Sequence, residues 1–153
     1  MIEVECVNYE PAFSFDEREI KTLFSLLNEH PMFPNNQGNL DIAFLDAERC
    51  NDLHKRFFND PSTTDVMTFP GEEDDHFGDI AVCPLIAKQN ALDNQMSFAE
   101  ECLLYLIHGW LHLNGLNDHA PDEIRAMRKG ESILMNYIRE HSAIPTMDWN
   151  PIH

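Results

Sequence analysis

The sequence predicts an α/β (α+β) fold in which a small mixed β-sheet packs with helices and a central helix carries a metal site. Its 153 residues suit one compact domain, residues 1–153. Short β-rich runs alternate with longer segments of helical periodicity, a pattern typical of helices packed on a sheet. A hydrophobic content of 43% and a charged content of 24% are ordinary for a globular protein and argue against disorder.

Strand-like and helical segments follow one another in the first third of the chain. Residues 2–7 predict a first strand, and residues 15–27 have apolar side chains at helical spacing. A loop rich in proline and asparagine follows. Residues 40–45 predict the second strand, and Asp46 is placed to cap a helix over residues 47–58.

The middle of the chain predicts two short strands and a short helix. Residues 65–69 are β-leaning and stop at a Pro-Gly pair, and the acidic residues 72–75 fit the solvated tip of a hairpin. Residues 78–83 predict the next strand, and residues 85–92 predict a helix after Pro84. We therefore expect a hairpin followed directly by a helix.

The longest apolar helix is predicted over residues 98–114. Ser97 and Glu100 form a Ser-x-x-Glu capping box at its start, and Gly115 supplies the left-handed residue that ends it. This helix carries the residues from which we infer a function.

A last helix is predicted over residues 121–140, with Pro121 at its first position. Its predicted apolar stripe consists of Ile124, Met127, Ile133, Leu134, Tyr137 and Ile138. We expect the tail, residues 145–153, to be loosely held.

Charge and cysteine usage restrict the possible functions. The chain has 27 acidic and 10 basic residues, a net charge of −17, which excludes a sequence-independent nucleic-acid coat and favours basic partners. No apolar run approaches the roughly 20 residues of a membrane-spanning helix. No secretory segment is evident, so we expect a cytoplasmic protein with reduced thiols at Cys6, Cys50, Cys83 and Cys102.

The end of the long helix fits a metal site. His108 and His112 lie four residues apart, so a helix presents both imidazoles on one face. Gly115 lets the backbone turn back, and three residues later stands Asp118, followed by His119. Three protein ligands with a fourth position open are the catalytic form of a zinc site. Two surface histidines are the alternative, but the helix is otherwise apolar, where unpartnered histidines are costly.

The residue after the first histidine argues against a protease. Zinc proteases place a glutamate there as the general base, whereas this chain has Gly109. The helix therefore indicates a metal hydrolase of another kind.

Three motifs together resemble the YbeY family of bacterial rRNA-maturation endoribonucleases. The His-Gly-Trp-Leu-His-Leu-Asn-Gly run, residues 108–115, is similar to the family's histidine signature. Residues 64–70, Thr-Asp-Val-Met-Thr-Phe-Pro, and residues 78–80, Gly-Asp-Ile, resemble its two strand motifs. In this order the three motifs are specific, and they extend over most of the chain.

The resemblance implies a function that the residues alone do not give. It implies a single-domain α/β fold with one catalytic zinc ion per chain. It also implies single-strand-specific endoribonuclease activity in 16S rRNA 3′-end maturation and 70S ribosome quality control. Implied partners are rRNA and the ribosome, a basic small-subunit ribosomal protein and an Era-type GTPase.

Two positions depart from the family pattern. The family usually has histidine six residues after the second histidine, where this chain has Asp118 and then His119, so both stay candidates for the third ligand. Ahead of the Thr-Asp-Val motif the family has an aromatic-Arg pair, where this chain has Phe57 and Phe58. Arg56 or Lys55 could supply the missing positive charge, from a different position.

Several other residues have two interpretations. Arg125, Arg128 and Lys129 could contact RNA, but a solvated helix face is favoured. Thr64 and Asp65 could line a groove beside the metal, or Asp65 could bond a local turn. Trp110 and the phenylalanines Phe13, Phe15, Phe24, Phe44, Phe57, Phe58 and Phe69 are expected in the core, and His30, His54, His76, His141 and His153 at the surface.

Two alternatives to the endoribonuclease remain. One is a ribosome-assembly factor that does not cleave RNA and in which the zinc is structural; the missing arginine supports it. The other is a metal-dependent hydrolase of a different substrate, which Gly109 opposes for peptides. Loss of folding on chelation would favour a structural metal, whereas retained folding with lost cleavage would favour catalysis.

Overall fold

A four-stranded mixed sheet organises the fold, as the sequence predicts. The computed structural model describes residues 1–58 and 65–151. Three parallel strands and one antiparallel strand lie in the order β1-β3-β5-β4, and β2 pairs with β6 in a separate two-stranded sheet. The elements are β1 Ile2–Asn8, β2 Phe13–Phe15, α1 Glu17–Glu29, β3 Gly38–Phe44, α2 Ala47–Phe58, β4 Val66–Pro70, β5 His76–Val82, α3 Pro84–Asp93, α4 Phe98–Leu113, α5 Pro121–Glu140 and β6 Met147–Trp149.

Helix α4 lies at the centre of the main core. Trp110, which the sequence predicts as a core residue, is fully buried among the rings of Phe24, Phe33 and Phe77. The helix also lies close to β5, because Gly109 has no side chain to hold the two apart. This contact fixes the C-terminal half of α4, which carries His108 and His112, against the sheet.

The two faces of the sheet differ in character. Ile42 and Ile80 are aligned on neighbouring strands and point into the main core. Side chains alternate along a strand, so Asp41 and Asp79, also aligned, lie on the opposite face. On that second face the chain therefore carries charged residues in the middle of the sheet.

Strand β5 contains an irregularity at its start. His76 pairs with Asn39, but the next pair is Gly78 with Leu40, so Phe77 is an additional residue on β5. Such a bulge changes which face the residues before it point to. Phe77 packs against Trp110 in the core.

The expectation of a loosely held tail is wrong for residues 147–149. These residues form β6, which pairs with β2, and Met147 is 2% exposed. The predicted first helix is also shifted, because Phe15 belongs to β2 and Asp16 caps α1 by accepting a hydrogen bond from the Arg18 N–H. The C-terminal residues 152–153, His153 among them, lie outside the described residues.

Two predictions about burial are also wrong. Ile124 and Ile133 are exposed on α5 and do not belong to its apolar stripe, which consists of Met127, Leu134, Met135 and Ile138. His54 is buried, not at the surface. His76, expected at the surface, is 32% exposed and lies beside two aspartates.

The remaining helices agree with the sequence. Asp46 accepts a hydrogen bond from the Arg49 N–H at the start of α2, as expected for its capping role. The termination of α2 after residue 58 and the position of Thr64 lie outside the described residues. No helix among the residues that the structure describes has the length and apolar character needed to cross a bilayer.

Candidate metal centre

The ends of α4 are fixed by local hydrogen bonds. At the start, Ser97 Oγ accepts from the Glu100 N–H at 3.1 Å. At the other end, Gly115 has φ of +99°, and the Leu116 N–H donates to the Leu111 carbonyl at 3.1 Å. This is the left-handed helix ending expected for a glycine at this position. It turns the chain back towards the last turn of α4.

Three of the predicted site residues come together, and we call them the helix triad: His108, His112 and Asp118. The two Nε2 atoms are 3.0 Å apart, and Asp118 Oδ2 lies 3.5 Å from that of His108 and 3.4 Å from that of His112. The side chains are 17%, 23% and 35% exposed, so the cluster is accessible from one side. His119 is exposed and is not part of this group.

The second nitrogen of each imidazole is held by an acceptor. His108 Nδ1 lies 2.8 Å from Glu131 Oε2, and His112 Nδ1 lies 2.8 Å from the Leu116 carbonyl oxygen. Since a carbonyl and a carboxylate can only accept, each neutral imidazole has its proton on Nδ1. The two Nε2 lone pairs then face each other and Asp118, an arrangement that a cation between them would stabilise.

Glu131 is a site residue that the sequence analysis missed. It is 5% exposed on α5 and accepts from His108 and from Arg128, whose Nη1 is 2.7 Å from Oε1. Burial alone raises the pKa of Glu131, but the hydrogen bonds from His108 and Arg128 outweigh it and lower the pKa below its ordinary value. A signal existed, because Glu131 lies on the buried side of α5, four residues after Met127.

The donor set fits zinc. Imidazole nitrogen and carboxylate oxygen are both zinc ligands, and a carboxylate behind one ligating histidine is the usual second shell. Three protein donors leave a coordination position for water or substrate. His108, His112 and Asp118 would therefore hold the ion, with Glu131 and the Leu116 carbonyl orienting the two rings.

Packing bears on which residue can follow the first histidine. A Cβ at position 109 would lie 2.8 Å from Cγ2 of Ile80, already closer than real side chains come. Any side chain at position 109, a glutamate included, would therefore require α4 or Ile80 to shift.

The helix triad borders a small groove. A cavity of about 280 Å³ is lined by His112, Asp118 and His119 on one side and by the β4 residues Val66, Met67 and Thr68 on the other. Among the described residues, no hydrogen bond joins Asp65 to the helix triad. The Asp65 Oδ1 accepts instead from the Val66 N–H at 2.8 Å, as expected if Asp65 bonds a local turn. Thr64 lies outside the described residues.

The predicted basic residues differ in their surroundings. Arg125 and Lys129 are exposed, as a solvated helix face requires. Arg128 is also 68% exposed, but it is bound to Glu131 and therefore lies beside the helix triad. The side chains of Phe57 and Phe58, in the place of the family arginine, are outside the described part of the chain.

Comparisons with known proteins agree on one family. A family model described as Endoribonuclease YbeY matches residues 7–139. A Beutenbergia cavernae protein named Endoribonuclease YbeY is 36% identical over 136 residues, covering 79% of this chain and 87% of the relative. A Protochlamydia amoebophila protein of the same name is 34% identical over 106 residues, covering 66% and 71%.

A solved structure has the same fold. The solution structure of a Thermotoga maritima protein superposes with a TM-score of 0.59 at 25% sequence identity. The match covers 94% of this chain and 95% of the other. The similarity therefore includes the sheet, α4 and α5, which together position the helix triad.

Proposed function

Because the chain belongs to the YbeY endoribonuclease family, we propose that it is a zinc-dependent, single-strand-specific endoribonuclease of 16S rRNA 3′-end maturation and 70S ribosome quality control. Family membership by itself supports an rRNA-processing nuclease. The observation that carries the metal-dependent step is the helix triad, in which three donors converge and each histidine has its second nitrogen held.

The proposed ligands are His108, His112 and Asp118, with His119 as the alternative to Asp118. Asp118 is favoured as the third ligand, because the turn at Gly115 brings its carboxylate close to the imidazoles of His108 and His112. When bound, zinc would supply a Lewis acid for a phosphoryl oxygen and a water that ionises near neutral pH. We propose one such ion per chain at this centre.

The chain's own residues would prepare this chemistry in three ways. Glu131 holds the His108 ring so that Nε2 faces the centre, and the Leu116 carbonyl does the same for His112. Arg128 uses Nη1 to bind Glu131, and its side chain is 68% exposed; among the residues that the structure describes, its other N–H groups make no hydrogen bond and would meet an arriving phosphate. This interpretation favours Arg128 as a replacement for the charge that the family arginine provides.

The net charge of −17 requires help in binding RNA. We propose that the protein acts in the cytoplasm as one YbeY-like metal-dependent hydrolase domain, residues 1–153, and docks through a basic small-subunit ribosomal protein and an Era-type GTPase. Docking driven by opposite charges weakens steeply as salt is added, which can be measured as Kd against ionic strength. Docking that does not depend on salt would contradict this account.

The test of the proposed function combines metal content with RNA cleavage. Full-length wild-type protein and the variants His112→Ala, Asp118→Ala and His119→Ala are dialysed, analysed for zinc and assayed on single-stranded RNA. We expect His112→Ala and Asp118→Ala to lose one equivalent of zinc together with cleavage, and His119→Ala to keep both. Loss of zinc with His119→Ala and not with Asp118→Ala would overturn the assignment of the third ligand.

A further outcome would change the function itself. If the wild type binds zinc at the helix triad and cleaves no single-stranded RNA, alone or with ribosomal subunits, the assembly-factor alternative replaces the nuclease. Circular dichroism after chelation then checks whether the metal holds the fold together.

A further inference from the structure

A second cluster of metal-ligating side chains lies on the sheet, on the face opposite to α4. We call it the sheet triad: Asp41 on β3, and His76 and Asp79 on β5. His76 Nε2 is 3.6 Å from Asp41 Oδ2 and 3.3 Å from Asp79 Oδ2. All three donor atoms lie within 4.8 Å of one another.

The bulge in β5 creates this cluster. In a regular strand, residues three apart such as His76 and Asp79 point to opposite faces. The additional residue Phe77 inverts that alternation, so that His76 points to the same face as Asp79 while Phe77 packs in the core. The backbone irregularity thus brings an imidazole to a pair of carboxylates.

Electrostatics at this point favour a cation. Glu5, Asp41 and Asp79 are aligned directly across three parallel strands, where like charges repel one another. Asp41 and Asp79 share one imidazole, that of His76, between their carboxylates.

The imidazole nitrogen lies between the two carboxylates without a well-aligned hydrogen bond to either. His76 Nε2 is inaccessible to solvent and makes no hydrogen bond within the described part of the chain, although two carboxylate oxygens are near. A buried ring nitrogen without a hydrogen bond is costly. Its separations from the two oxygens, 3.3 and 3.6 Å, are close to the edge of a zinc coordination tetrahedron, about 3.3 Å from the usual bond lengths.

We propose that Asp41, His76 and Asp79 form a second binding site for a divalent transition-metal cation. One imidazole nitrogen with two carboxylate oxygens suits Zn²⁺ or Mn²⁺. The site is independent of the proposed nuclease function, because it shares no residue with the helix triad and lies on the other face of the sheet. A bound cation would offset the charge of the aligned carboxylates on β1, β3 and β5, and it would link β3 to β5.

A protonated His76 is the competing explanation. An imidazolium between two carboxylates would also relieve their repulsion, and it would need no metal. The two explanations differ in one measurable respect, because only a metal site adds an equivalent of bound cation that depends on His76 and on Asp41.

The experiment is a Zn²⁺ titration of metal-free, full-length protein by calorimetry. We expect two sites in the wild type. In His76→Gln and Asp41→Asn the sheet site should bind at least about tenfold more weakly, and in His112→Ala the sheet site alone should remain. Glu5→Gln is the matched control, since it removes a neighbouring charge of the same row and no donor. It should leave both sites in place.

Mn²⁺ locates the site in the sequence once the helix triad has lost a ligand through His112→Ala. In that variant, paramagnetic broadening of backbone amide signals should centre on residues 40–42 and 78–80, and it should disappear there when His76→Gln is added. If that variant does not fold, as judged by circular dichroism, Asp41→Asn gives the same comparison. A single Zn²⁺ site in the wild type, a second site unchanged in both variants, or a Kd weaker than about 1 mM would overturn the proposal.

Discussion

The helix triad and the sheet triad present three donor atoms at nearly the same spacing, but they are held by different means. In the helix triad both imidazoles have their Nδ1 atoms fixed, one by buried Glu131 and one by the Leu116 carbonyl. Within residues 1–58 and 65–151, no hydrogen bond holds the His76 ring, whose buried Nε2 only lies near Asp41 and Asp79. The sheet donors are also more exposed, from 32% to 49% against 17% to 35%.

From this difference we expect the two triads to differ in metal affinity although their donor spacing is nearly the same. Fixed rings lose little freedom when an ion binds, whereas a partly exposed and unsupported ring must be ordered first. We therefore expect the helix triad to bind the tighter ion and to carry the chemistry, and the sheet triad to bind a weaker ion with a structural effect. Four predictions test this contrast.

The largest effect concerns which triad supports cleavage. His112→Ala should lower kcat/KM for single-stranded RNA by more than about 100-fold, because losing a ligand costs more than losing a residue behind one. His76→Ala should leave kcat/KM within about twofold. Equal losses in the two variants, with both proteins folded, would contradict the division of roles.

The second prediction concerns the support behind His108. Glu131→Ala should weaken zinc binding at the helix triad by about 10- to 100-fold, because His108 Nδ1 loses its acceptor. Glu131→Gln keeps an acceptor oxygen, so the decrease in zinc affinity should be smaller in this variant. Competition with a zinc chelator measures both affinities. Arg125→Ala, an exposed change on the same helix, is the control, and an unchanged affinity in Glu131→Ala would refute the orienting role.

The third prediction concerns the contact that seats α4 on the sheet. Gly109→Ala should lower the free energy of unfolding by about 1 to 3 kcal/mol, because the new Cβ would meet Ile80 at 2.8 Å. Better helix propensity of alanine offsets up to about 1 kcal/mol of this loss. Urea unfolding measures the difference, and a variant more stable than the wild type would show that the gap is wider than the structure indicates.

The smallest expected effect is on the Tm of Asp79→Asn, and it should differ between protein without and with a cation at the sheet triad. A raised pKa in the folded state means that ionising Asp79 opposes folding, so this cost sets in as pH rises above the ordinary aspartate pKa and is complete above the raised pKa. Asp79→Asn should therefore raise the Tm of metal-free protein at pH 7, by no more than about 3 °C for so exposed a group.

Saturating Zn²⁺ should reverse that order. It should raise the Tm of the wild type above that of Asp79→Asn, since only the wild type gains the ligand, and thermal scans with and without metal make the comparison. A variant that stays more stable at every Zn²⁺ concentration would argue for a sheet triad without an ion.

The sequence predicts the helix triad well because its geometry is local. Two histidines four residues apart and a glycine turn fix relative positions within a dozen residues, so no tertiary information is needed to expect Asp118 near both rings. For the third ligand, the turn at Gly115 favours Asp118 and the residue type favours His119; in the structure the Asp118 carboxylate lies beside both imidazoles. The position of α4 in the core followed from its apolar length.

The sequence does not predict Glu131 as a site residue, because it lies 23 residues after His108 and meets it only when α5 packs on α4. The sheet triad is hidden for a different reason. A regular strand would place His76 and Asp79 on opposite faces. The bulge that brings them to the same face cannot be recognised in the sequence. The short β6 was missed because it forms only by pairing with β2, across most of the chain.

The close packing of Gly109 on Ile80 also limits how this protein could evolve. A single substitution at position 109 would convert this histidine helix into the His-Glu-x-x-His motif of zinc peptidases, but the new side chain would meet Ile80. A chain that acquired the glutamate first would lose the close packing of α4 on β5, which a smaller side chain at position 80 would have to relieve beforehand. Selection for peptide cleavage would thus have to cross an intermediate with a cavity in its core and no new activity.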